Sequence, residues 1–230
     1  MTTITRCCGT SVGVLVHDDT DRLLMITRGW YPTGVAPVAG HIADEHTNAV
    51  AALTAEVREE TGLTVTSHRV LWEGWLPNLC QSLPALPIPG HRWVVAAATA
   101  VGELTPDPEE TRGASWYTPA EVQTLARRTL AYGRGEVSQG AYQTSPGLEA
   151  VWLRHLATAG LLRLSSDDLA VAERLYTTPP AEYWTGDRLV PARQLVYGGF
   201  VCSTCYGLGV TSEGATCPAC KGSGQDTDHD

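Results

Sequence analysis

Apolar positions along this chain fall into two periods. Residues 11–17 (SVGVLVH) are apolar almost throughout, as in a strand buried on both faces, and residues 18–21 make a turn into a hairpin partner at 22–27. After a loop-like stretch at 29–34, residues 35–39 are a short apolar segment ending at Gly40. From 47 to 61 there is no Gly or Pro, and Ala, Leu and Glu dominate, which predicts a helix. Val50, Leu53 and Val57 give it one apolar face, and Thr61-Gly62 stops it.

Strands are expected at 65–75 and 93–102, with a Pro-rich loop (LPALPIPG) between them. A short strand at 115–117 and a helix over 119–131 follow, the latter capped by Thr118. Residues 133–146 read as a linker rich in Gly, Ser and Gln, and 148–159 and 166–176 as two more helices whose apolar residues need covering. Alternation of this kind predicts an α/β fold, a mixed sheet flanked by helices. The expected organisation is a main domain at 8–132, a linker and helical extension at 133–198, a Gly- and Cys-rich unit at 199–224 and an acidic tail at 225–230.

Composition narrows the class. Apolar residues at 43% and charged residues at 18% match an ordinary globular protein with a sizeable core. No apolar run reaches the ~20 residues that span a bilayer, and the first ten residues lack the pattern of a secretory signal, so a cytoplasmic location is expected. A net charge of -9 argues against a protein whose main task is gripping nucleic-acid backbone. It suits a polyanionic small molecule if a divalent cation supplies positive charge locally.

Glu56, Glu59 and Glu60 stand at i, i+3 and i+4 in the first helix, within a common arc beside the apolar stripe. Carboxylates crowded on a partly covered face repel one another unless solvated or neutralised by a cation. Hard oxygen donors at close quarters suit Mg²⁺ or Mn²⁺, which bridge phosphate oxygens and acidify a bound water. The alternative is a solvated acidic helix face.

The flanking residues bear on that choice. EVREETGL, at 56–63, resembles the C-terminal half of the Nudix box, Glu-(aliphatic)-x-Glu-Glu-x-Gly-(aliphatic), at every defined position. Gly40 precedes the helix where the box glycine belongs, and PDPEETRGASWYTPAEV, at 106–122, resembles the acidic loop, Trp-bearing strand and final helix of Nudix domains. The resemblance spans roughly residues 8–131. It implies an αβα sandwich and metal-assisted attack of water on a diphosphate. Glu56, Glu59 and Glu60 would then hold Mg²⁺ or Mn²⁺, and one of them, or Glu109 or Glu110 of the acidic loop, would be the general base. The first half of the box departs from pattern. The family's arginine before the first helix glutamate is Ala55 here, and the upstream box glutamate is missing. Counting six from Gly40 reaches His46, and the interval from Gly40 to Glu56 is one residue longer than standard. Asp44, Glu45 and His46 are the candidate replacements; His41 and His46 are equally readable as loop residues with ordinary polar contacts.

Phosphates need Arg or backbone donors where metal does not cover them. Arg28, Gly40, His41 and His91-Arg92 are the candidates, each set against a surface role. Trp30, Tyr31, Trp75 and Trp93 are candidates to stack a base, or are core aromatics.

Cys202-x-x-Cys205-Tyr-Gly-Leu-Gly and Cys217-x-x-Cys220-Lys-Gly-Ser-Gly are one pattern written twice. Four thiolates fill a tetrahedral Zn²⁺ shell and leave no position for water, so a structural zinc site is expected. The repeat resembles the Cys-x-x-Cys-x-Gly-x-Gly elements of DnaJ-type chaperones and related zinc ribbons. One lysine stands here against Glu213, Asp226, Asp228 and Asp230, which disfavours nucleic acid and leaves contact with a protein partner, homodimer formation or packing against the catalytic domain open. Cys7, Cys8 and Cys80 are left over and read as structural or incidental thiols. The sequence therefore points to a Nudix-type hydrolase of a nucleoside-diphosphate-linked or nucleotide substrate. The competing readings are a Nudix-fold nucleotide-binding regulator without turnover, and an adaptor whose zinc unit is the functional part.

Overall fold

Strand β1 (Thr10–Val16) is the hub of the larger sheet. It runs antiparallel to β4 (Val38–His41) on one side and parallel to β6 (His91–Val101) on the other. With β5 (Thr64–Leu76) at the edge, the order is β4-β1-β6-β5. A second sheet sets β2 (Leu23–Thr27) between β3 (Val35–Ala36) and β7 (Ala114–Tyr117), both antiparallel to it. The apolar segment at 35–39 thus serves two sheets rather than one strand, the break falling at Pro37, which has no N–H to give a ladder. This computed structural model describes residues 6–43, 46–84, 90–185, 188–192, 202, 204–205, 210–211 and 215–222.

Helix α1 (Ala49–Thr61) buries Leu53 and Val57 against Val12, Val14, Val16, Leu24, Ile26, Val38 and Ala96. It starts later than the composition suggests. Asn48, in extended conformation, caps it by accepting from the Val50 and Ala51 N–H groups. Gly62 ends it in the left-handed conformation at φ 76°. Val50 does not join the core face. It sits at the edge of the stripe in the first turn and is 49% exposed.

The opposite face of β1 meets α4 (Ala150–Thr158). A Cβ at Gly13 would come within 2.6 Å of the Trp152 ring, so only glycine lets this helix approach the strand. Trp152, Trp93 of β6 and Trp72 of β5 surround His155, whose ring lies 4.4 Å from Trp93 and 5.1 Å from the other two. With α1 on one face and α4 on the other, this is the expected mixed α/β sandwich. Residues 133–146, read as a linker, contain the end of α2 (Pro119–Gly133) and all of α3 (Gln139–Thr144). Helix α5 (Ser166–Tyr176) packs on α2 and α4, and all these helices share a compact unit made of Thr10–Trp75 and Arg92–Thr177.

A second unit comprises Met1–Gly9, Leu76–His91 and Thr178–Asp230. Its β8 (Glu182–Trp184) and β9 (Leu189–Pro191) form an antiparallel hairpin that the sequence reading did not find. Arg6 bridges to Leu83 and Ser82 to Trp184, while Leu83 and Tyr183 bury against Val190 and Ala192. The acidic tail and residue 199, where the cysteine unit was expected to begin, lie outside the described residues. Among the described residues, no helix is long and apolar enough to cross a membrane.

His155 carries a pH-dependent cost. It is fully buried, and neither ring nitrogen finds a hydrogen bond among the described residues. Burial, helped by the Arg154 charge, lowers its pKa from 6.5 to about 3. The unfolded chain therefore binds a proton that the folded chain refuses, and stability contributed by neutral His155 is lost as pH falls from about 6.5 towards 3. Between pH 7 and pH 5 the wild type should lose about 2 kcal/mol more than His155→Leu, read from urea midpoints at each pH. Parallel pH profiles for the two proteins would show that His155 is not held neutral.

Candidate functional site

The larger unit gathers its ionisable groups where the end of β4 meets α1. Glu56 and Glu60, one turn apart, are both buried, at 8% and 7% exposure. Glu56 lies so close over Gly40 that a Cβ there would collide with its carboxylate, which explains glycine at the end of this strand. One Glu60 oxygen accepts from the Ala39 N–H. The other, Oε2, is buried with no hydrogen-bond partner among the described residues.

The carboxyl of Glu60 is accordingly held well above its ordinary range. Burial is the main cause, followed by the Glu56 charge, with Glu110 adding to it. Arg28 and the Ala39 N–H act in the opposite sense. Arg28 is itself inward-facing, its Nε 3.6 Å from Oε2 of Glu149. On the other side, His46 Nε2 stands 3.6 Å from Glu56 Oε1.

Most of the residues singled out in the sequence converge here. Glu56, Glu60, Gly40, His46 and Arg28 come together, and Glu110 approaches from the turn at 107–111. Asp107 organises that turn by accepting from the Glu109 N–H and, through its carbonyl, from the Glu110 and Thr111 N–H groups. Glu59 is exposed, about 60° round the helix from Glu56 on the solvent side, so it stands at the rim of the buried pair. His41 ends β4, half-buried. Arg92 is elsewhere, an exposed position of β6 between buried His91 and Trp93, with its guanidinium 3.5 Å from Glu73. Trp93 is core, whereas Trp30 and Trp75 are largely exposed. Asp44 and Glu45 lie outside the described residues.

Glu149 was not anticipated. It is the buried N-cap of α4, far from the box in sequence, and nothing in the local pattern marks it. Its backbone fixes its place: the Glu149 N–H donates to the Val35 carbonyl, and Val35 N–H to that of Gly147.

An oxygen cluster with an unpartnered buried carboxylate atom and mutually repelling neighbours is the donor set a hard divalent cation takes. The residues fit such an ion. In the second unit, Cys202, Cys205, Cys217 and Cys220 are all buried, with their sulfurs within 4.8 Å of one another. The Cys205–Cys220 and Cys202–Cys217 sulfurs are 3.5 Å and 4.0 Å apart, near the ~3.8 Å edge of a tetrahedral zinc–thiolate site. A bridge between Val210 and Thr216 joins the two halves. Of the repeat's glycines, Gly222 is described, at φ 89°; Gly207, Gly209 and Gly224 lie outside the described residues.

The family model described as NUDIX domain matches residues 9–139. A search of the curated proteins finds no match. Solved structures similar to this chain include a MutT protein from Methanosarcina mazei Go1, at 15% identity and TM-score 0.41, covering 53% of this chain and 84% of that one. A NUDIX hydrolase from Nitrosomonas europaea has 14% identity and TM-score 0.42, covering 68% and 97%. The NUDIX domain of Shewanella oneidensis NrtR, complexed with ADP ribose, has 12% identity and TM-score 0.41, covering 52% and 77%.

The raised Glu60 carboxyl sets a stability trade. Without a cation, the contribution of protonated Glu60 is complete below about pH 4.5 and is lost as pH rises through its higher folded value. Glu60→Gln removes that loss. In chelator at pH 7 the variant should be more stable than wild type by about 1 kcal/mol or more. Adding Mg²⁺ or Mn²⁺ should raise the thermal midpoint of wild type and leave that of the variant nearly unchanged.

Proposed function

The chain belongs to the Nudix family, and from that premise we propose that it is a divalent-metal-dependent hydrolase of a phosphoanhydride link in a nucleoside-diphosphate-linked or nucleotide substrate. The observation that carries the reading is the buried Glu60 Oε2, without a partner among the described residues and beside Glu56 in the half of the box that matches the family.

Glu56 and Glu60 are the residues that would hold Mg²⁺ or Mn²⁺, with Glu59 at the rim. Such an ion, when bound, draws charge from phosphate oxygens and lowers the pKa of a water. Glu110, on its exposed turn, is the candidate to take the proton from the attacking water. Arg28 balances Glu149 and Glu60 and keeps the charge of the cluster from scattering its members. Gly40 lets the strand end approach Glu56, and its backbone is a candidate donor to a phosphate. The four cysteines supply a donor set for a structural Zn²⁺, and contact with a protein partner or a second copy is the proposed role of that module.

One observation favours a second reading, nucleotide binding without turnover. The arginine that would stand beside Glu56 is Ala55, and His46 occupies the neighbourhood of that carboxylate instead. A panel of nucleoside diphosphate-X compounds and nucleoside triphosphates, assayed with Mg²⁺ and Mn²⁺, separates the two. Turnover to two phosphate-bearing products, or to one plus pyrophosphate, is the expected result. Glu56→Gln and Glu60→Gln should each lower kcat by about 100-fold or more, and Glu59→Gln by about 10-fold. Tight binding with no turnover under either metal would instead establish the binding protein.

A further inference from the structure

The cysteines that do not belong to the Cys-x-x-Cys pairs are not scattered. Within the second unit, Cys7, Cys80 and His91 each present one donor atom, and these atoms lie within 4.8 Å of one another. They come from separate parts of the chain. Cys7 is on the N-terminal segment, held where its N–H donates to the Leu83 carbonyl at 2.7 Å. Cys80 is on the loop after β5, and His91 is the first residue of β6. We propose that these three residues form a second transition-metal site, of Cys₂His type, distinct from the four-cysteine site and suited to Zn²⁺.

Three features carry this beyond a chance meeting of thiols. The Asn78 carbonyl can only accept, so the 3.1 Å contact from His91 Nδ1 fixes the proton on that nitrogen. Nε2 then carries the lone pair, and it is the atom 3.1 Å from Cys7 Sγ. A carbonyl that orients a histidine in this way is the usual outer partner of a metal-bound imidazole. The Gly9 N–H also points at Cys7 Sγ, 3.3 Å away, an arrangement that stabilises a thiolate. Finally, Cys7 and His91 are buried, at 5% and 3% exposure, while Cys80 is half-buried on the open side. None of the three is in a disulfide.

Two thiolates and one imidazole form a borderline-soft donor set, which takes zinc in preference to magnesium or calcium. In the metal-free form Cys7 donates its proton to His91 Nε2, and the Cys80 thiol points to the Ser82 carbonyl, 3.6 Å away. Binding of Zn²⁺ displaces both thiol protons to solvent and leaves the imidazole neutral, with Nδ1 still donating to Asn78. Within this unit the described residues supply three corners of the tetrahedron, and the fourth falls to a further donor. The site staples the N-terminal segment to the loop between β5 and β6. No Cys-x-x-Cys spacing announces it, since its members are separated by 73 and 11 residues.

The test is metal stoichiometry of the full-length protein after dialysis against a weak chelator. Wild type should retain about two zinc ions per chain, and Cys80→Ser and His91→Gln about one each, with helical circular dichroism unchanged. Cys217→Ser should lose the other zinc and keep the one that depends on Cys80. A wild type with one zinc that Cys80→Ser retains overturns the proposal, leaving a thiol–imidazole contact only; so does a second zinc that survives both Cys80→Ser and His91→Gln. Should those variants fail to fold, alkylation of the wild type decides. Cys80 is partly accessible, so its labelling, mapped by mass spectrometry, should be slow in the zinc-loaded protein and at least ten-fold faster after a strong chelator. Equal rates overturn the proposal.

Discussion

The fold turns on two glutamates that have to be buried beside each other. Glu56 and Glu60 occupy positions of α1 that continue its apolar stripe, so seating Leu53 and Val57 in the core brings both carboxylates in with them. Burial of either charge is costly, and burial of the pair more so. Beside Glu60 stand the Ala39 N–H and the Arg28 charge, and beside Glu56 an imidazole and a glycine where any side chain would displace it. A strand end, a helix and a loop are all shaped around this pair.

The remainder of the larger unit makes that burial rigid. Its central strand is packed on both faces, by α1 on one and by Trp152 of α4 on the other. Helix α4 also delivers Glu149 at its N-cap, anchored by a main-chain bond to Val35 in the strand just before β4. The counter-charge to Arg28 therefore depends on a helix that lies beyond the matched family region. An element that reads in the sequence only as an extension is tied by hydrogen bonds and by charge to the cluster on α1.

Regular patterning explains what was legible. The α/β class, most strand and helix positions, the nearness of Glu56 to Glu60 and the four-cysteine cluster follow from period, spacing and short motifs, because each is a local property of the chain; Glu59, grouped with that pair by spacing, is exposed. The exceptions share a cause. Val50 has the right spacing yet stays exposed in the first turn of α1. Helix α3 and the β8–β9 hairpin lie in weakly patterned sequence, where tertiary contacts decide the outcome. Glu149, and the meeting of Cys7 with Cys80 and His91, involve residues brought together by topology alone. No window of the sequence contains them.

Electrostatic balance also links the box's departures from pattern. A guanidinium at position 55 would be a permanent positive charge beside Glu56, and none is present. Near that carboxylate stands the His46 imidazole, its Nε2 3.6 Å from Glu56 Oε1. Arg28 bears on Glu60 and lies beside Glu149 as well. The charges of Glu56 and Glu110 both oppose ionisation of Glu60, while that of Arg28 favours it. Among the described residues Glu60 Oε2 is buried without a hydrogen-bond partner, beside Glu56 and the Arg28 charge, and it is the atom on which the proposed cation site rests.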